Sequence, residues 1–345
     1  MGTPAVTKWG RMTGAMAPPP RQNDTLALPG GVFRGPEPPG RRWARRARRR
    51  RPRTAFVFAG GGARGAAQVG MLQALLARGV TADDIYGASV GAINAAGYAG
   101  TPTAQGVERM ATLWAKVTRD DVFPSGRIPG PWRFLQQREA VHSNHGVLRI
   151  IDEGLTFARL EDSPIHLEVV ATSLTDGRTQ WFARGPAAPA ILASTALPAL
   201  FPPVAIDGES FIDGGVVDNV PIGRAIALGA QRIFVLLCGP LHYTPHRYRR
   251  PVEAVLTAFF IAVHAKFARE LAVLPPGIEV VVFSVDSDPV SRYDDFSGTA
   301  ALIGAGRANA EAVLDFWQAG GRSPSAIRPP SPEAQELSAT AGEAV

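Results

Sequence analysis

The stretch Thr54–Gly65, TAFVFAGGGARG, narrows the fold more than any other part of the chain. Six mostly apolar residues stop at glycines, as a buried parallel strand does. The glycines open onto GAAQVGMLQALLARG (65–79), where Val69, Leu72, Leu75 and Leu76 share one helical face and Gly79 ends the run. DDIYGASVGAINAAGYAG follows, with a brief strand near Ile85–Tyr86, a sharp turn and a helix of small residues. Strand, glycine loop, helix, strand, turn, helix is the order of an α/β domain built on a parallel sheet.

Further strands are expected in HLEVVATSL (166–174), QRIFVLLC (231–238) and GIEVVVFSV (277–285), and helices over 107–117, 251–274 and 299–317. In 251–274, Val252, Leu256, Phe259, Val263, Phe267 and Leu271 fall near helical spacing, a pattern read as core packing in preference to a membrane face. The apolar run at 255–267 is too short to span a bilayer and contains His264 and Lys266.

Charge divides the chain. Hydrophobic residues make up 46% and charged residues 19%, which suits a globular core. The net charge of +6, however, comes from one end. Residues 1–53 hold 13 Lys/Arg against Asp24 and Glu37, whereas the remainder holds 23 against 28 acidic residues. The segment 1–53 is therefore read as a disordered Arg/Pro-rich arm, 54–320 as a single folded domain and 321–345 as a disordered tail. Arg-dense 41–53 could touch an anionic membrane surface peripherally, and no specific nucleic acid is expected. A solvated tail, or a start placed too early given Met12 and Met16, remains the plainer account. No basic-then-apolar leader is evident, and the expected location is cytoplasmic. The single cysteine, Cys238, excludes an internal disulfide framework and reads as a buried strand thiol.

Gly60-Gly61-Gly62-Ala63-Arg64-Gly65 admits two readings. Gly60, Gly62 and Gly65 fit the dinucleotide spacing G-x-G-x-x-G, with Asp83 or Asp84 about 20 residues on. That fingerprint needs its acid at the end of the second strand, whereas Asp83 and Asp84 precede it, and the strand ends in Gly87-Ala88-Ser89. Alternatively, successive glycines aim backbone N–H groups into one small volume beside a helix N-terminus, the makings of an oxyanion hole.

Gly87-Ala88-Ser89-Val90-Gly91 is G-x-S-x-G between an apolar strand and a helix, the setting in which a strained turn projects a serine hydroxyl. A serine nucleophile needs a base. None of His142, His145, His166, His242, His246 and His264 lies in a recognisable catalytic loop. Phe211-Ile212-Asp213-Gly214-Gly215 offers a carboxylate at a strand end with two glycines to turn it, although a turn aspartate without chemistry has the same look.

Together these pieces resemble the patatin-like phospholipases, which combine a GGG-x-R-G loop, a G-x-S-x-G elbow and a D-G-G/A motif in this order. Here they are Gly60–Gly65, Gly87–Gly91 and Asp213–Gly215, with Ala193–Pro198, Phe201–Pro203 and Val217–Pro221 also in the family's style. The resemblance covers about residues 54–320. It implies a three-layer α/β fold with a central, mostly parallel sheet flanked by helices. It implies a Ser–Asp dyad in which Ser89 attacks a fatty-acyl ester of a lipid and Asp213 accepts its proton. The oxyanion loop would be Gly60, Gly61, Gly62, Ala63, Arg64 and Gly65, with donors from Gly61–Ala63 and from Val90, and neither metal nor cofactor is required. Gln68 departs from bacterial relatives, which often carry histidine there, and is expected to tune packing. Trp114, Val122, Phe123, Trp132, Phe134 and Leu135 lie between elbow and acid and read either as the rim of an apolar cleft or as ordinary core. Two other functions stay open: a nucleotide-binding Rossmann-type protein, and a non-catalytic membrane or nucleic-acid adaptor working through the arm.

Overall fold

The computed structural model describes residues 30–36, 51–123, 140, 142–242, 251–286 and 294–323. Nine strands form one sheet: β1 (Gly31–Arg34), β2 (Thr54–Phe58), β3 (Asp84–Ala88), β4 (His166–Ser173), β5 (Thr179–Phe182), β6 (Val204–Ile206), β7 (Glu209–Asp213), β8 (Arg232–Leu236) and β9 (Glu279–Phe283). The five central strands, in the order β9-β8-β2-β3-β4, run parallel. The margins are antiparallel: β1 on β9, β5 and β7 on β4, and β6 on β7. The helices are α1 (Ala66–Ala77), α2 (Val90–Gly100), α3 (Ala104–Lys116), α4 (Arg119–Val122), α5 (His145–Gly154), α6 (Ala187–Ser194), α7 (Gly215–Asp218), α8 (Ile222–Ala227), α9 (Pro251–Ala272) and α10 (Thr299–Gln318).

Both sheet faces are buried, so the central strands are apolar through their middles, with polar residues mainly at their starts (Thr54, Asp84, His166, Arg232 and Glu279), while alternate residues serve opposite layers. Phe56, Phe58, Phe234 and Phe283 point into one core with α1, α2, α3 and α10. Ala55, Val57, Val235 and Val282 point into the other with Ile222 of α8 and Phe267 of α9. The result is helix, sheet, helix: the three-layer arrangement. In α9, Leu256 and Phe267 are buried, and Val263 and Leu271 pack partly buried against the second core. Among the described residues no helix is long and apolar enough to cross a membrane.

The boundaries of the expected domain move at both ends. Gly31–Arg34, assigned from sequence to the arm, forms β1 along the edge of β9, with Val32 and Phe33 buried. Only two of its residues are large and apolar, too few for a periodic signal, and the edge it covers would otherwise offer unpaired backbone. Arg34 Nε bonds Glu279 Oε1 at 2.8 Å. At the other end Ser323, outside the expected 54–320 domain, donates its N–H to Val32 O and accepts Val32 N–H on Oγ. The Arg-rich segment also ends differently. Arg51 holds Asp83 through two bonds and Arg53 holds Asp84 likewise, so both guanidinium groups are engaged by the domain. Residues 1–29 and 37–50 of the arm, Trp132, Phe134, Leu135, His246 and the tail from 324 lie outside the described residues.

Candidate active site

The site begins with an unusual pairing on β4. Its first half takes β3 as a parallel partner, ending at Ala88 opposite Val170. Its second half takes β7 as an antiparallel partner, with Asp213 opposite Ala171. Because β5 occupies the other edge over Val169–Thr172, β3 and β7 share one edge and meet head-on there. The residue after β3 and the last residue of β7 are thus brought together. Ser89 Oγ donates to Asp213 Oδ2 at 2.7 Å across 124 positions of sequence.

Ser89 sits where β3 turns into α2, with φ 54° and ψ −132°. A side-chain-bearing residue with positive φ is strained, and such strain persists only where the surroundings enforce it. The enforcement is visible. Ser89 N–H donates to Ser194 Oγ at 3.0 Å, and Ser89 O accepts Ala92 N–H at 2.8 Å. Gly91 packs so closely on β2 that an added Cβ would lie 2.6 Å from Ala59 O, and nearer still to Phe58 O. Gly87, Gly214 and Gly215 are likewise crowded by backbone or side-chain oxygens.

Asp213 is 1% exposed. Its Oδ1 accepts Gly215 N–H at 2.7 Å, its main-chain N–H donates to Ala196 O, and its carbonyl accepts the Thr172 hydroxyl at 2.9 Å. Burial raises the carboxyl pKa to about 7, against the opposing pull of the hydrogen bonds from Ser89 and Gly215. A group with that pKa exchanges protons readily at neutral pH.

The glycine loop forms a 3-10 turn over Gly62–Gly65 leading into α1, with Gly62 at φ 60°. Gly61, Gly62, Ala63 and Val90 line the cavity onto which Ser89 opens. Gly60 and Arg64 differ from these four: Gly60 N–H goes to Asn219 O and Arg64 N–H to Gly61 O, both at 3.4 Å, and neither residue lines that cavity. Gly60 leaves no room for a side chain, since a Cβ would lie 2.8 Å from Ser89 Cβ. Gly65 is buried under Val90 and Trp114 and serves packing.

Around this centre lies a cavity of ≈ 230 Å³ with a mainly apolar wall. Trp114, Val122 and Phe123, expected either as rim or as core, all line it while Trp114 and Phe123 stay largely buried. Among the described residues no histidine lines it. His166 instead pairs with Glu168 at the opposite end of β4, and His264 bonds Phe260 O and Pro240 O within and beside α9. The acids of the dinucleotide reading are also misplaced. Asp83 and Asp84 lie at the start of β3, away from the glycine loop, and are held by Arg51 and Arg53.

Three side chains noted in the sequence without a site role, two of them only within longer stretches, turn out to support the site. Ser194, at the end of α6, holds Ser89 N–H with its hydroxyl and Gly214 N–H with its carbonyl, joining the two strand ends. Asn219, buried, accepts Gly60 N–H on its carbonyl and donates Nδ2 to Gly60 O. Gln68, also buried, donates to Ala59 O and Leu236 O at 2.8 Å and accepts from Asn94, closing the ends of β2 and β8.

The sequence model of the patatin-like phospholipases matches residues 56–226, which contain the loop, the elbow and the acid. Residues 56–226 thus belong to the patatin-like phospholipase family. Among curated relatives of this patatin-like chain, an uncharacterised NTE family protein of Mycobacterium tuberculosis is 34% identical over 185 residues, covering 52% of this chain and 47% of the relative. The lysophospholipase NTE1 of Mycosarcoma maydis is 31% identical over 200 residues, covering 56% of this chain and 10% of that one. The match thus spans about half of the mycobacterial relative and a tenth of the fungal one. Among solved structures, VipD from Legionella pneumophila aligns with a TM-score of 0.40 at 14% identity, covering 77% of this chain and 67% of that chain.

Proposed function

We propose that the protein is a serine acyl hydrolase that cleaves fatty-acyl esters of lipids, with Ser89 as nucleophile and Asp213 as its base. The observation that carries this reading is the 2.7 Å bond from Ser89 Oγ to a buried carboxylate, with no histidine among the described residues lining the cavity. The family match and a relative named a lysophospholipase support a lipid ester as substrate.

In this mechanism Ser89 Oγ attacks the ester carbonyl carbon as its proton passes to Asp213 Oδ2. The carbonyl oxygen becomes an oxyanion, held by backbone N–H groups from Gly61–Ala63 and Val90. Such donors are fixed before the charge develops, so they stabilise the transition state without reorganising. Val90 is the first residue of α2, whose N-terminal end adds partial positive charge. Collapse of the intermediate expels the alcohol, which takes the proton from Asp213, and leaves an acyl-Ser89 ester. Water then delivers a proton to Asp213 as its oxygen attacks that ester. The second collapse releases the fatty acid and returns the proton to Ser89 Oγ.

The test is hydrolysis of p-nitrophenyl esters by wild type, Ser89→Ala and Asp213→Asn. Loss of about 10³-fold or more in each variant is expected, since nucleophile and base act as one unit. Full activity in Ser89→Ala would sink the mechanism. Loss on replacing His242, His246 or His264, with Asp213→Asn still active, would give the base role to a histidine.

A further inference from the structure

The cavity has a direction. Helix α2 is buried along its whole length except at Ile93, Gly97 and Gly100, spaced four and three residues apart on one side. On that side Val90, Ile93, Gly97 and Thr101 line the cavity, so it extends as a groove from the N-terminal end of the helix to just past its last residue. The facing wall has helical spacing too, with Met110 and Leu113 from α3, Val117 just after it, and Val147 and Ile150 from α5. Asn94, which also lines the groove, has its amide bonded to Gly65 O, Gln68 and the Trp114 indole, leaving the middle of the groove apolar.

Polar groups gather at the two ends. One end holds Ser89 and the glycine loop. The other holds Thr101, Arg109, Glu153 and Thr156, with Arg109 Nη2 donating to Thr101 Oγ1 at 2.8 Å. From Val90 to Thr101 the helix rises about 16 Å at 1.5 Å per residue. An extended chain advances about 1.2 Å per bond, so that length holds about 12 to 14 carbons.

We propose that this groove is a ruler for a single acyl chain. Resting on the serine hydrolase reading, the ruler places the ester at Ser89, lays the chain along α2 and stops its methyl end at the Thr101–Arg109 pair. The substrate class is therefore an ester of a medium-length acyl chain. Each methylene up to that stop leaves water for an apolar wall, whereas a longer chain must pass a charged guanidinium and Glu153. Gly97 is the point at which the ruler can be shortened. The nearest atoms to a Cβ there would all belong to Met110, from 3.5 Å, an ordinary contact, so a larger side chain points into the groove. It would do so about 11 Å from the nucleophile end, or about nine carbons along.

The experiment is kcat/KM for a series of monomeric p-nitrophenyl esters from butyrate to stearate. For wild type the value is expected to rise with each added methylene, by up to about fourfold, and to level or fall beyond dodecanoate to tetradecanoate. In Gly97→Leu the break moves to about octanoate, and the dodecanoate-to-octanoate ratio drops by about tenfold or more. Met110→Trp, on the facing wall, shortens the profile in the same sense and serves if Gly97→Leu fails to fold. A folded Gly97→Leu or Met110→Trp that hydrolyses esters with the wild-type length profile overturns the ruler while leaving the hydrolase reading in place. Absence of Ser89-dependent hydrolysis even of butyrate removes the hydrolase reading, and the ruler with it.

Discussion

The end of β3 and the end of β7 deliver the two candidate groups to one point, and they are held there by different means. At β3 the tension is in the backbone: Ser89 has positive φ, and crowded glycines leave it no other path. At β7 the backbone is relaxed, with Gly214 at φ −64°, and the tension is electrostatic, in a carboxyl buried until its pKa reaches about 7. One end is constrained by shape and the other by solvation. Shape is written in short-range motif glycines, whereas solvation depends on everything packed around Asp213.

The contrast can be broken first at the acid. With a folded-state pKa raised from 3.8 to about 7, the contribution of Asp213 to stability is fully present below pH 4 and is lost as pH rises through 7. At pH 8 the ionised form therefore destabilises the fold by on the order of 4 kcal/mol. Asp213→Asn removes that dependence while keeping both contacts, its oxygen accepting Gly215 N–H and its NH2 donating to the Ser89 hydroxyl in place of the present bond. The difference in thermal stability, variant minus wild type, should thus grow in the variant's favour between pH 4 and pH 8. A difference that stays flat with pH would mean that the carboxyl is not perturbed.

The elbow is the next target. Gly91→Ala forces a methyl group against the carbonyls of Phe58 and Ala59 at the end of β2, neither of which can retreat without disturbing the sheet. Overpacking of that kind costs about 1–3 kcal/mol. Circular dichroism melts should show the loss, together with a fall in ester hydrolysis larger than the stability change explains, because Ser89 moves with the turn. A variant of wild-type activity would show that the turn has slack.

Ser194 links the two ends, and its effect is expected to be intermediate. Ser194→Ala leaves the buried Ser89 N–H without its hydroxyl acceptor, worth about 1–3 kcal/mol, while the backbone bond from Gly214 survives. The expected readout is about a tenfold loss in kcat with KM nearly unchanged. Smallest per step is the wild-type pH profile. If ionised Asp213 is the base, kcat/KM should climb tenfold per pH unit below about 7 and level above it. A profile centred near pH 4 would point to an unburied carboxylate.

The parallel half of the molecule was legible because both faces of its strands are covered. TAFVFA, RIFVL and EVVVF read as largely apolar runs bounded by glycine, proline or charge, and α1 and α2, buried nearly all round, show as runs of small and apolar residues opened by glycine turns. The antiparallel margin was not. In β5 every residue is half-buried and β6 has only three residues, so neither develops a period. β1 was hidden in a segment whose composition is dominated by arginine and proline. At the site, motif residues announced Ser89 and Asp213 but not the geometry joining them. That geometry depends on β4 pairing with two different strands along one edge, a tertiary fact with no local sequence correlate. Ser194 and Asn219 lay in stretches that carried the resemblance, but their partners were illegible for the same reason, since both hold backbone groups far away in the chain.

The shared edge of β4 has a consequence for how such a chain can change. Ser89 and Asp213 are not positioned relative to each other by the 124 positions between them but by adjacent register marks, Val170 and Ala171. Apart from the 194–196 segment that ties the two strand ends, segments inserted, deleted or exchanged between the strands leave that alignment untouched, while a slip of β7 by one residue carries Asp213 about 3.3 Å away and turns it to the other face. The domain can therefore reshape its loops and walls freely around a chemical centre indexed on two neighbouring residues of one strand.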